Sequence, residues 1–236
     1  FIQIKSSKKQ RRIMRSNLFI LVLGLSFFLV ACGGKKDATV ATGEEATTAE
    51  ATAAAQDYTV DVDGSTLAWV GKKVTGQHDG TIKISNGVFS VEGGNITAGN
   101  FAIDMTTIAN NDLAEDAETQ AKLLGHLSSP DFFNVAEHPT ATFEITSVAA
   151  ATGDATGATH NISGNLTIKG ITKEITFPAT VSMDGGNFKA EADFNIDRTE
   201  WDIRYGSGKF FEDLGDKTIY DDINLKLALA ASAASA

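Results

Sequence analysis

Residues able to do chemistry are thinly spread in this 236-residue chain, and the most informative is its single cysteine, Cys32. It closes an apolar run over 18–30 that a basic step at Arg15 introduces, directly after the small residue Ala31 and ahead of Gly33 and Gly34. A run of about a dozen apolar residues is short of the ~20 that a spanning helix needs and has the size of an export signal's hydrophobic stretch. A thiol placed there points to acylation. The four histidines, His78, His126, His138 and His160, lack ligand-like spacing, so no metal is expected. Asp61-Val62-Asp63-Gly64 is a fragment of a calcium loop without the distant glutamate, and reads as a hairpin turn. GxSxG, HExxH, P-loop and GxGxxG patterns are missing, and no carboxylate stands beside a recognisable partner. The chain is therefore expected to have no catalytic residues and no cofactor.

Leu29-Val30-Ala31-Cys32 resembles the bacterial lipobox, in which the sulfur is diacylated and cleavage makes the cysteine the new N-terminus. The expected organisation is a signal peptide over 1–31, with 1–13 upstream of a true start at Met14, then a lipidated Cys32. Gly33 is not acidic, which favours the outer membrane facing the periplasm over retention at the inner one. Residues 1–31 hold six of the 20 Lys+Arg and none of the 30 Asp+Glu, so the processed chain carries 14 − 30 = −16. Such a charge argues against nucleic-acid binding and against docking on anionic headgroups. With its one cysteine consumed, the exported domain has no disulfide and must stabilise itself by burial.

Residues 33–56 are mostly Ala, Thr, Glu and Gly, too poor in apolar surface to offset ordering entropy, and are expected to be a disordered tether. The tail at 231–236 reads the same way. Between them, period-two alternation dominates a single domain over 57–230. Ile175, Phe177, Ala179, Val181 and Met183 form one such face, and Phe188, Ala190, Ala192, Phe194 and Ile196 another. Ala141-Phe143-Ile145 and Ile223-Leu225-Leu227-Leu229 repeat the pattern. Turns are expected at Asp63-Gly64, Asn86-Gly87, Gly93-Gly94, Lys169-Gly170 and Asp184-Gly185-Gly186. One segment changes period: Leu113, Ala117, Ala121, Leu124 and Leu127 fall on one face of an amphipathic helix that Pro130 ends. Regularly spaced one-sided strands make a sandwich or a closed barrel. The sequons at Asn95, Asn161 and Asn165 are expected by chance in Thr-rich strands and carry no glycan.

The motif order resembles the YceI-like family of lipid- and polyisoprenoid-binding proteins. The matching pieces are Gly76-Gln77-His78-Asp79-Gly80, Phe101-Ala102-Ile103-Asp104-Met105, the run 125–133, the run 138–143, the run 164–173 and a segment containing Arg198. The stretch over 200–211 departs from the family's commoner ending and looks like a lipoprotein subgroup. The resemblance implies an all-β fold, an extended antiparallel lipocalin-like β-barrel with one amphipathic helix, whose bore holds a long isoprenoid or similar chain. Inward alternation, independently of the family, names Phe143, Ile145, Ile168, Phe177, Val181, Phe194 and Leu225 as candidate bore lining, with plain core packing as the alternative at each. The expected function is a membrane-anchored lipoprotein that binds or carries an apolar lipid, polyisoprenoid or quinone-like. The competing readings are an envelope structural or stress protein with a filled barrel, and a lipid-modifying enzyme.

Overall fold

The alternating segments become long antiparallel strands in the computed structural model, which describes residues 39–151 and 157–234. The strands are β1 (Thr42–Gly43), β2 (Gln56–Val60), β3 (Thr66–Lys73), β4 (Gly76–Glu92), β5 (Asn95–Asn110), β6 (Thr140–Ala150), β7 (His160–Ile168), β8 (Ile171–Asp184), β9 (Asn187–Asp197) and β10 (Ile219–Ala233). From β3 to β10 each strand pairs with the next, and β10 returns to pair with β3, which closes an eight-stranded barrel. β2 extends the line of β3 past a break at 61–65 and pairs with the same two neighbours, β4 and β10. Closure leaves no long strand edge in water. Along β9 the side chains alternate strictly, with Phe188, Ala190, Ala192, Phe194 and Ile196 buried inside the barrel.

Three hairpins are two-residue turns with both central residues at positive φ: Gly93-Gly94, Lys169-Gly170 and Gly185-Gly186. That is the turn geometry whose twist matches the flanking strands. The expected turn at Asn86-Gly87 is instead a bulge inside β4, where the register against β5 shifts between Ile84 and Asn86. Gly87 is there for space, because a Cβ would sit 2.6 Å from the Phe101 ring.

The helix, α1 (Ala117–Ser128), starts later than the periodicity predicts, because the Asp116 carboxylate accepts from the Thr119 N–H at 3.1 Å and caps it. Leu113 is left in the preceding turn. The face also rotates: Leu127 is buried and Leu123 packs on the core, whereas Ala117 and Ala121 are exposed and Leu124 is only half-buried.

The tether expectation is corrected over 39–55. This stretch is a strap laid along the outside of the barrel. Val40 N–H donates to Asn195 O at 2.8 Å, and Thr42–Gly43 pairs with Ile175 and Glu174. Asn165 then clamps Ala46 in both directions, at 2.9 and 2.6 Å, and Ala49 N–H donates to Ile145 O at 2.9 Å. The physical reason is that backbone amides need no apolar side chains to pair, so composition misreads the segment. The tail is corrected likewise: Ala231 to Ala233 belong to β10, and Ala234 N–H donates to Asp57 O at 2.8 Å. The signal peptide, Cys32 and residues 33–38 lie outside the described residues.

Candidate functional site: the bore

The inward faces meet across the barrel only in part, as where the Phe89 ring of β4 reaches Phe188 of β9. They leave two apolar chambers along its axis, with cavity volumes of about 160 Å³ and about 100 Å³. Packed interiors keep few voids larger than a water molecule, so both exceed ordinary packing defects. Four residues line both chambers and form a waist between them: Leu67 on β3, Ile103 on β5, Leu166 on β7 and Leu225 on β10.

The inner chamber is walled by apolar side chains throughout. Phe143, Ile145, Phe177 and Phe194 stand in that wall, Leu225 at the waist and Ile168 in the outer chamber. Val181 lines neither; it is half-buried beyond the inner chamber, where β8 runs out towards exposed Met183. The Phe177 and Phe194 rings stack with centroids 4.3 Å apart and planes 7° from parallel. Phe143 lies across Gly164 of β7, where a Cβ would come to 2.3 Å from its Cζ, so that glycine is the seat of the ring. Lining aromatics absent from the sequence expectation are Phe89, Phe101 and Phe188, with Phe89 and Phe188 centroids 4.2 Å apart. Phe188 was legible, since it shares the alternating face of Phe194.

The outer chamber is closed on one side by α1 through Leu123 and Leu127 and by Phe132 and Phe133 from the loop behind it. Its floor is held by Arg198 and Trp201, both almost wholly buried. Arg198 donates to Ile203 O at 2.7 Å and to Ile219 O and Tyr220 O at 3.2 Å, and pairs with Asp221 at 3.2 Å. Burial lowers the Arg198 pKa and Asp221 and Asp197 oppose this, so the paired guanidinium ties the 201–221 loop to the barrel. Trp201 Nε1–H donates to Leu166 O at 3.0 Å. In the same chamber wall, Trp69 Nε1–H is the one buried side-chain polar atom among the described residues without a hydrogen-bond partner.

Polar groups gather at the mouth, where Lys72, Lys73, His78 and Tyr220 line the opening. His78 Nδ1 lies 2.8 Å from the Asp112 carboxylate. Partial burial works to raise the Asp112 pKa, but bonds from the Asp79 N–H, His78 and Asn110 outweigh it and hold the carboxyl below its ordinary range. His126 stands 3.8 Å from Asp131 outside the bore, and His160 faces Thr159 at 2.8 Å. No group of three or more His, Cys, Asp and Glu among the described residues is arranged to hold a metal.

A profile of the YceI-like domain matches residues 58–231. A UPF0312 protein of Azotobacter vinelandii is 33% identical over 137 residues, covering 56% of this chain and 66% of that protein, just under two thirds of its length. Protein YceI of Escherichia coli is 33% identical over 165 residues, 61% of this chain and 78% of that protein. Among solved structures, BcnA of Burkholderia cenocepacia superposes with a TM-score of 0.58 at 24% identity, covering 73% of this chain and 99% of that one. A polyisoprenoid binding domain from Saccharophagus degradans gives 0.53 at 13% identity, over 75% and 98%. At those identities the two structures speak for the fold alone. The profile match and the Escherichia coli relative place the chain itself: it belongs to the YceI-like family.

Proposed function

We propose that this protein binds and carries one long apolar lipid, a polyisoprenoid or a quinone-like molecule with an isoprenoid tail, without converting it. The observation that carries the reading is the two-chambered apolar bore, whose chambers meet at Leu67, Ile103, Leu166 and Leu225 and together suit an extended chain better than a compact one. Each five-carbon isoprene unit buried is worth roughly 3–4 kcal/mol against water at ~0.8 kcal/mol per carbon group. The competing solvent is the bilayer, which is as apolar as the bore, so exchange between them is reversible. A ligand oxygen brought to Trp69 Nε1–H would satisfy a donor whose isolation costs about 1–3 kcal/mol. Membership of the YceI-like family and the polyisoprenoid binding domain of like fold support the same ligand class.

The same proposal places the protein on the bacterial envelope, held by acyl chains on Cys32 and facing the periplasm from the outer membrane. Its support is the sequence around Cys32. Organic extraction of the purified chain followed by mass spectrometry tests the ligand. One isoprenoid alcohol, phosphate or quinone per chain is expected. Recovery of no lipid, together with failure to take up added undecaprenol, refutes the carrier and leaves the filled-barrel reading.

A further inference from the structure

Two ladders of the barrel stop while both their strands run on, β5–β6 at Asn100↔Glu144 and β8–β9 at Thr180↔Glu191, and the second of these holds a proline at the stop. The β8–β9 ladder runs from Asp184↔Asn187 only to that point. Pro178 accounts for the stop. Ala179 O accepts from Thr159 N–H on the β7 side, so the backbone of the preceding residue faces β9, and Pro178 has no N–H to offer there. Beyond that point β8 and β9 diverge. Behind the gap stand Ile175, Phe177 and Phe194 of the inner chamber.

The strap fills this gap. Thr39 bridges Asn195 of β9 in parallel and Val40 N–H bonds Asn195 O, while two residues later Thr42–Gly43 pairs with Ile175 and Glu174 of β8. Val40 is half-buried and packs on the core cluster; Thr39, Gly43, Glu44 and Glu45 are exposed. One half-buried aliphatic and a few surface hydrogen bonds are a weak latch beside an unbroken ladder such as β9–β10, and such elements open locally long before the barrel unfolds. Only six residues of chain, 33–38, separate Cys32 from Thr39.

We propose that the β8–β9 seam is the side entrance of the bore, through which a long apolar chain passes into the inner chamber, and that residues 39–43 are the strand that bolts it shut. This rests on the carrier reading above. A side entrance leads directly to the inner chamber, whereas the mouth at Lys72, Lys73, His78 and Tyr220 opens on the outer one. It also lets the chain enter broadside, without threading end first.

The structure supplies the lock with which to test it. A Cβ at Gly43 would lie 3.7 Å from the Glu174 Cβ, close to the ~3.8 Å mean of disulfides. The full chain carries Cys32→Ser, so that Gly43→Cys and Glu174→Cys provide its only thiols. Retinol, a C20 isoprenoid, is offered in phosphatidylcholine vesicles, and its uptake is followed by quenching of tryptophan emission, Trp69 being in the wall of the outer chamber. Oxidation should slow uptake and release at least tenfold, and dithiothreitol should restore both, with equilibrium occupancy unchanged. Asn165→Ala, which removes both bonds to Ala46 without touching the bore, should act oppositely and speed uptake severalfold. Equal rates in the oxidised and reduced protein, or an unchanged rate in Asn165→Ala, overturn the side entrance while retinol still binds. If the Cys32→Ser chain with no other change takes up no retinol at equilibrium, the carrier reading itself fails and the entrance with it.

Discussion

Narrowing the inner chamber separates a carrier from a filled barrel. Ala192, on β9, is buried in the chamber wall beside Phe194, with Ala179 on β8 in the same wall. Ala192→Trp sends an indole into that chamber. A buried aromatic covers about 150–250 Å², and a bound chain gives up a similar area to make room for it. At ~25 cal/mol per Å² that is about 4–6 kcal/mol of ligand burial, or roughly a thousandfold or more in affinity. A chain that slides partly into the larger outer chamber recovers some of this, so a loss of at least about tenfold is expected. Stability should barely change, because the ring enters open space. In a packed interior the same substitution is overpacking, costs about 1–3 kcal/mol and lowers the melting temperature by roughly 2–12 °C in a domain of this size. The assay pairs calorimetry on the delipidated protein with retinol titration, using Lys189→Trp on the outer face of β9 as the control. A melting point depressed by several degrees in Ala192→Trp and Ala179→Trp, with no lipid bound by the parent protein, would refute the open bore.

Cys32→Ser should abolish metabolic palmitate labelling and leave the precursor unprocessed or released; labelling that persists in the serine variant ends the lipoprotein reading. Leu127→Ala should destabilise by roughly 2–5 kcal/mol, since Leu127 is buried against the outer chamber, whereas Ala121→Ser on the exposed face should change the denaturant midpoint little. Partial burial works to raise the Asp197 pKa, but its bonds from Lys209 and Thr199 prevail and depress it, while the same contact with Asp197 raises the Lys209 pKa. The pair's contribution is therefore complete between about pH 4 and pH 10, falls below that window as Asp197 protonates, and falls above it as Lys209 loses its proton. Asp197→Asn should flatten both limbs of a melting temperature against pH profile, and unchanged limbs would show the pair to be unimportant.

Much of the architecture was legible because strand alternation is a local property. The buried face of β9 is the face its sequence shows, and the two-residue turns at Gly93-Gly94, Lys169-Gly170 and Gly185-Gly186 follow from residues that tolerate positive φ. The helix was legible as an element, but its start and face were not, because the Asp116 cap and contacts with the outer chamber set them. Pro178 announced a broken ladder in the middle of a strand, a signal that can be read from sequence. What no local pattern holds is where that broken edge finds a partner. The strap over 39–55 has almost no apolar side chains, and it is ordered because β8, β9 and the β6 bulge between Ile145 and Ser147 present backbone groups to it. Alternation likewise says which residues point inward, but not whether they touch. That depends on barrel diameter, which strand number and stagger fix for the closed sheet as a whole, and here it lets Phe177 and Phe194 stack while a cavity remains beside them.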